Sequence, residues 1–262
     1  MMEKMVFTYT RGDLLNKKIE KDAQGWYKVN LGAINAFNEH GAFYLQDGVR
    51  ELLYNPESRL AQKLENGYLI GEMEHPKIPP TLSKEEAFMF VSYPNRDRQS
   101  HHIKSIEIVD TGVAPGKGFS GTILQLVGWV KPSGPFGKFL QESLDDPEIN
   151  TAFSIRSLTK NGRVGATEVR KIQSIITFDW VTEPGIRTAN KFDTARVATE
   201  GYSQPLSSVE LPYEYTDVEI ASIEQTYLKS HPGISTESDV MSIFNDIRQV
   251  NKSKFGKLFD RW

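Results

Sequence analysis

Two β-rich segments in succession constrain this chain most. The stretch Ala152-Phe153-Ser154-Ile155-Arg156-Ser157-Leu158 alternates as a strand does, and after Asn161-Gly162 a longer strand pattern runs over residues 166–181. Asn-Gly between two such runs predicts a hairpin turn. In the first segment Phe153 and Ile155 point to one face, Ser154 and Arg156 to the other. An alcohol beside a fixed cation fits either an acyl-transfer site or a half-buried strand with a solvent face.

Other strands are expected at 4–10, after Gly25-Trp26-Tyr27, and at 49–54, 87–92, 103–111 and 120–131. Helices are expected at 58–65, stopped by Asn66-Gly67, and at 136–144, stopped by Asp145-Asp146-Pro147. Many strands, few helices and short turns predict an α+β chain, mainly a β-barrel or sandwich core with helices outside. Beyond about residue 198 the composition shifts. Residues 200–212 read as a Ser/Pro/Gly-rich linker, followed by helices at 216–229 and 235–250, the second capped by Ser235. The expected division is therefore 1–199 as the main domain and 200–262 as linker and helical C-terminal tail. The tail either packs back on the core or is detachable.

With 262 residues, 39% hydrophobic and 25% charged, the chain has room for one large globular domain. A net charge of -3 gives no electrostatic footprint for nucleic acid, and the absence of cysteine excludes disulfides, thiolate metal sites and a cysteine nucleophile. Residues 1–11 lack a signal-peptide core and no run reaches membrane-span length, so a cytosolic protein without membrane contact is expected.

A serine nucleophile needs a base, and the base needs an orienting partner. Of the histidines, His231 and His40 look like turn residues, and His101-His102 falls in the polar stretch 93–102. His75 ends an apolar strand, between Gly71, which permits close backbone approach, and Pro76, which fixes the exit. It reads equally as a base or a structural histidine. Asp179, between Phe178 and Trp180, needs a buried partner, either a histidine or an arginine. Glu72-x-x-His75 resembles half of a di-iron motif, but Gly71 and Pro76 disfavour the helix it needs. No His-Glu-x-x-His or Gly-x-Ser-x-Gly pattern is present, and the glycine-rich stretch 115–121 lacks the ending of a phosphate loop. No metal and no cofactor is expected.

Three segments together, Gly71-Glu72-Met73-Glu74-His75-Pro76, Phe153-Ser154-Ile155-Arg156-Ser157 and Phe178-Asp179-Trp180-Val181-Thr182-Glu183-Pro184-Gly185, resemble the prohead proteases of tailed phages in order and spacing. These capsid-maturation serine proteases are related in fold to the herpesvirus assemblins. The resemblance implies an assemblin-like barrel, with Ser154 as nucleophile, His75 as general base and Asp179 as the orienting third member. The herpesvirus relatives carry a second histidine in that third place. Arg156 is implied as support for the oxyanion, or as a structural ion pair. The resemblance further implies cleavage of phage scaffold and capsid proteins, and of the protease itself, inside the assembling prohead in the host cytoplasm. Self-association is an accompanying expectation. Cleavage is expected after a glutamate two positions beyond a small or aliphatic residue. Ser208-Val209-Glu210 and Ser222-Ile223-Glu224 have that form, which makes Glu210 and Glu224 candidate self-cleavage sites and the C-terminal tail removable. The competing reading is a non-catalytic capsid scaffold or adaptor, decided by whether residues 75 and 154 meet.

Overall fold

The computed structural model describes residues 4–12, 19–37, 41–146, 149, 151–181, 210–233 and 239–252. In chain order the strands are β1 (Lys4–Gly12), β2 (Glu20–Lys21), β3 (Tyr27–Ile34), β4 (Ala36–Phe37), β5 (Phe43–Leu45), β6 (Ile70–Glu72), β7 (Gln99–Asp110), β8 (Leu124–Pro132), β9 (Ala152–Val164), β10 (Thr167–Val181) and β11 (Glu210–Thr216). The helices are α1 (Val49–Tyr54), α2 (Arg59–Glu65), α3 (Lys84–Ser92), α4 (Gly137–Asp145), α5 (Asp217–Ser230) and α6 (Asp239–Lys252).

The strands form two sheets, of order β11-β1-β9-β10-β5-β4 and β2-β3-β8-β7-β6. This corrects the expected barrel: among the described residues no ladder closes the strands into a ring, and a single bridge, Met73 to Trp180, joins β10 to the chain just beyond β6. Alternating apolar residues are common to barrels and to packed sheets, so the pattern alone does not separate them.

One core lies between the sheets, where Val29, Leu31 and Leu126 meet Phe153, Ile155 and Phe178. The opposite face of the larger sheet is buried as well. There Leu158 and Ile176 pack under Phe88 of α3, Ile220 and Ile223 of α5, and Ile243 and Phe244 of α6. The polar face of β9 is therefore not solvent-facing: Ser154 is 3% exposed and Arg156 0%.

The hairpin between β9 and β10 turns later than Asn-Gly suggests. Asn161 and Gly162 pair with Arg170 and Val169, and the turn is Gly165-Ala166. Only Gly165 has positive φ (+60°), the sign pattern of a type II′ turn, whose twist suits paired strands.

Two expected strands are helices. In α3, Ser83 Oγ accepts from Glu86 N and the Glu86 side chain accepts from Ser83 N, a reciprocal cap. Its buried residues Ala87, Phe88, Val91 and Ser92 recur at helical spacing. In α1 the inward residues are Val49, Leu52 and Leu53, again at helical spacing. The stretch expected as a polar loop, 93–102, runs into β7, so His101 and His102 lie on a strand.

The boundary expected at 199/200 and the cap Ser235 lie outside the described residues, as does the linker up to residue 209. Residues 210–212, expected as linker, are instead the start of β11 (Glu210–Thr216), which extends the larger sheet by pairing with β1. Helix α6 seats Val240, Ile243, Phe244 and Ile247 against it, each burial worth about 1.5–3 kcal/mol before entropic costs. Its Asp246 accepts from Ser174 Oγ of β10 at 2.6 Å.

Candidate active site

Ser154 stands directly opposite Asp179 in the antiparallel β9–β10 register. Opposed residues share a face, so hydroxyl and carboxylate both turn to the helix-covered side. Two register shifts in β10, between Ile172 and Ser174 and between Ile175 and Thr177, precede this pairing.

The chain carrying His75 is fastened to the same strand. A Cβ on Gly71 would lie 2.2 Å from the Phe178 carbonyl oxygen and 2.2 Å from His101 Cε1. Only glycine lets β6 run this close to β10. Thr177 Oγ1 donates to the Ile70 carbonyl, Glu72 N to Asp179 Oδ1 at 3.2 Å, and Glu74 N to the Trp180 carbonyl at 2.7 Å. Glu74 then adopts φ +60°, an uncommon left-handed conformation for a residue with a side chain. The bend delivers the imidazole, and buried Pro76 fixes the path beyond it.

His75 Nδ1 lies 2.9 Å from Asp179 Oδ2, and Nε2 lies 2.9 Å from Ser154 Oγ. An ionised carboxylate only accepts, so the proton belongs on Nδ1 and Nε2 is left to accept from the Ser154 hydroxyl. The imidazole is 17% exposed while Asp179 is fully buried, which leaves the ring as the accessible part of the line.

Beneath this line lies a buried ion cluster. Arg156 grips Asp179 with two parallel bonds, Nε to Oδ2 at 2.9 Å and Nη2 to Oδ1 at 2.7 Å. Nη2 also reaches Glu72 Oε1 at 2.8 Å, and Nη1 donates to the Val91 carbonyl near the C-terminal end of α3 at 3.3 Å. A cation is favoured there by the helix dipole. Glu72 Oε1 further accepts from Asn95 N at 2.8 Å. Of the two roles open for Arg156, these contacts are those of the ion pair.

Burial alone would raise the Asp179 carboxyl, but Arg156 and the His75 contact outweigh it and hold it below the usual carboxylate range. Glu72 goes the other way: burial raises it, with Arg156 opposing. Burial also lowers the His75 imidazole below its ordinary value, with Asp179 pulling back towards the charged form.

Glu72 enters the site although sequence reasoning gave it no role. Its signal was the one used for Asp179, a carboxylate in an apolar strand that must find a cation. The other histidines stand apart. His101 is buried, pushed down to about 3 by burial, and packs edge-on to Phe153. His102 Nδ1 sits 3.3 Å from Ser133 Oγ, His231 stacks on Tyr227 at the end of α5, and His40 lies outside the described residues. Glu210 begins β11, and Glu224 lies within α5. Among the described residues no group of three or more His, Asp or Glu side chains is arranged to hold a metal.

A hydroxyl, an imidazole and a buried carboxylate in one hydrogen-bonded line can pass a proton from the alcohol to the ring and stabilise the cation formed. Membership of a peptidase class accords with such chemistry. The chain belongs to the peptidase S80 family, whose sequence profile matches residues 8–250. It is 34% identical over 198 residues to the capsid maturation protease of Pseudomonas phage phiKZ, covering 73% of this chain and 70% of that protein. The solved capsid assembly protease of bacteriophage T4 aligns with a TM-score of 0.45 and 11% identity, over 68% of this chain and 98% of that one.

Proposed function

We propose that the protein is a serine endopeptidase of phage prohead maturation, cutting scaffold and capsid proteins inside the assembling shell. The observation that carries this is His75 at 2.9 Å from both the Asp179 carboxylate and the Ser154 hydroxyl. Membership of the peptidase family and the likeness to a phage capsid maturation protease support it.

In the proposed reaction Ser154 Oγ attacks the peptide carbonyl carbon while its proton moves to His75 Nε2. The imidazolium is stabilised by Asp179, itself held by Arg156. His75 then protonates the departing amine, leaving an ester on Ser154. Water, deprotonated by the same nitrogen, releases the acid and restores the hydroxyl.

Cleavage after Glu in small-or-aliphatic-x-Glu sequences is part of the proposal, and it extends to the chain itself. Of the two candidate positions Glu210 is favoured. Glu224 lies inside a helix, with its carboxylate 2.6 Å from Arg248 Nη1. A helix must unwind before a protease can bind it, whereas Glu210 is the first residue of its strand. A cut there leaves β11, α5 and α6 attached through their shared core, so removal of the tail needs a further step.

The test is co-expression with the phage scaffold and capsid proteins, fragments being mapped by mass spectrometry. Wild type should yield cuts after Glu, and Ser154→Ala and His75→Ala should yield none while unfolding at the wild-type temperature. Cutting that persists in Ser154→Ala would sink the proposal.

A further inference from the structure

Helices α3 and α5 lie over the sheet face that carries Ser154, yet they leave a groove of about 870 Å³ between them. One wall is Leu82, Met89 and Phe90, the other Ile223 and Tyr227, and the groove reaches His75. Two polar ties link the two helices. Lys84 Nζ meets Glu219 Oε1 at 2.7 Å near the helix starts, and Tyr93 OH meets Tyr227 OH at 3.1 Å near the end of α3.

The wall residues recur at helical spacing, 86, 89, 90 and 93 on the α3 side and 223, 226, 227 and 230 on α5, so each helix turns a stripe into the gap. Each stripe mixes apolar and polar residues, Met89, Phe90 and Tyr93 with Glu86 on one side and Ile223 and Tyr227 with Thr226 and Ser230 on the other. Here Phe90 stays 41% exposed. Charged lining residues carry both signs, Glu72, Glu74, Glu85 and Glu86 with Lys77 and Arg98.

Resting on the peptidase reading above, the geometry points to this groove as a substrate subsite. It takes apolar side chains of the polypeptide being cut. Continuity with His75 sets the occupant: a chain whose scissile bond lies at Ser154 and His75 has one flank led into the groove. The nine residues of α3 span about 14 Å at 1.5 Å per residue, which matches roughly four residues of extended chain at 3.3 Å each. Apolar selection therefore acts within about four residues of the cut.

The test uses the full chain and a synthetic library of 12-residue peptides randomised at every position, with cleavage products sequenced by mass spectrometry. Wild type should enrich Leu, Met, Phe or Tyr at least about threefold at one or two fixed positions within four residues of the cut. Phe90→Ser should erase that enrichment. For the best peptide it should raise KM about tenfold and leave kcat within about twofold, the pattern of lost uniform binding. An unchanged unfolding temperature checks that the fold is kept. Ser154-dependent cleavage with no apolar preference, or with a preference that Phe90→Ser leaves intact, overturns the subsite and spares the peptidase reading. Library cleavage that persists in Ser154→Ala, or none by wild type, overturns both. A second copy of this chain seated in the groove also overturns the subsite, and would show as a concentration-dependent dimer lost in Phe90→Ser.

Discussion

Ser154 and Asp179 face each other across the β9–β10 ladder, so the candidate nucleophile and the candidate orienting carboxylate are positioned by backbone pairing of adjacent strands. Only the imidazole comes from outside the ladder. It is carried by the segment after β6, which is tied to β10 through Glu72 N and Glu74 N. The candidate site is therefore two fixed points and one strapped arm.

The first prediction concerns the cation beneath the line. Arg156 is fully buried between the Asp179 and Glu72 carboxylates. Arg156→Met strands both, and should lower unfolding free energy by about 3–5 kcal/mol. Adding Glu72→Met removes one uncompensated charge, so the double variant should recover at least about 1 kcal/mol of that loss. Urea unfolding of the two single variants and the double variant measures the coupling. Strict additivity would mean that the residues do not share an ion cluster.

The second concerns the strap. Because a Cβ on Gly71 meets the Phe178 backbone oxygen at 2.2 Å, the strand must move in Gly71→Ala. Overpacking of this kind costs about 1–3 kcal/mol. The shift is passed to His75 four residues on, and activity should fall more than about tenfold, since misplacement by about 1 Å can cost a hundredfold. Wild-type activity in Gly71→Ala, read with the unfolding temperature, would contradict the close approach.

The third is a pH profile. His75 must be neutral to act as a base, and burial lowers its pKa below 6.5 despite Asp179. The acid limb of kcat/KM, which reports the free enzyme, should thus have its midpoint below 6.5, with full activity retained at neutral pH. A midpoint above 6.5 would mean that the carboxylate outweighs burial.

The fourth concerns α6. Burial raises Asp246 from 3.8 to about 6. A carboxyl raised in the folded state stabilises it fully below pH 3.8, and that contribution is lost as pH rises through about 6. Asp246→Asn should therefore stabilise the protein at pH 7.5, by about 1–2 kcal/mol after the altered bonds to Ser174 and Arg59 N are counted. The gain should shrink towards pH 4. Thermal unfolding across that range checks the sign, and a gain that grows at low pH would contradict it.

The candidate site was legible because its residues break local patterns. Asp179 sits among aromatic residues, His75 lies between a glycine and a proline, and Ser154 stands beside an arginine on an otherwise apolar strand. Each anomaly demands a partner, and the structure brings the three side chains within hydrogen-bonding reach. Helix α3 was misread because its 87–92 stretch is small and apolar enough to suit a strand, although Ser83 and Glu86 already spelled the reciprocal cap. Sheet pairing was not legible at all. That β1 inserts between β9 and β11, about 150 residues away on one side and 200 on the other, is decided by long-range packing that alternation does not encode. Glu72 was passed over because the motif read from it, Glu-x-x-His, belongs to a helix, while its own strand makes it the partner of Arg156.

The central claim is that Ser154 is a nucleophile activated by His75. Intact-mass analysis after treatment with a fluorophosphonate tests it most directly. A single adduct mapping to Ser154, absent in His75→Ala, is the predicted result. Modification elsewhere, or equal labelling of Ser154 without the imidazole, would contradict it.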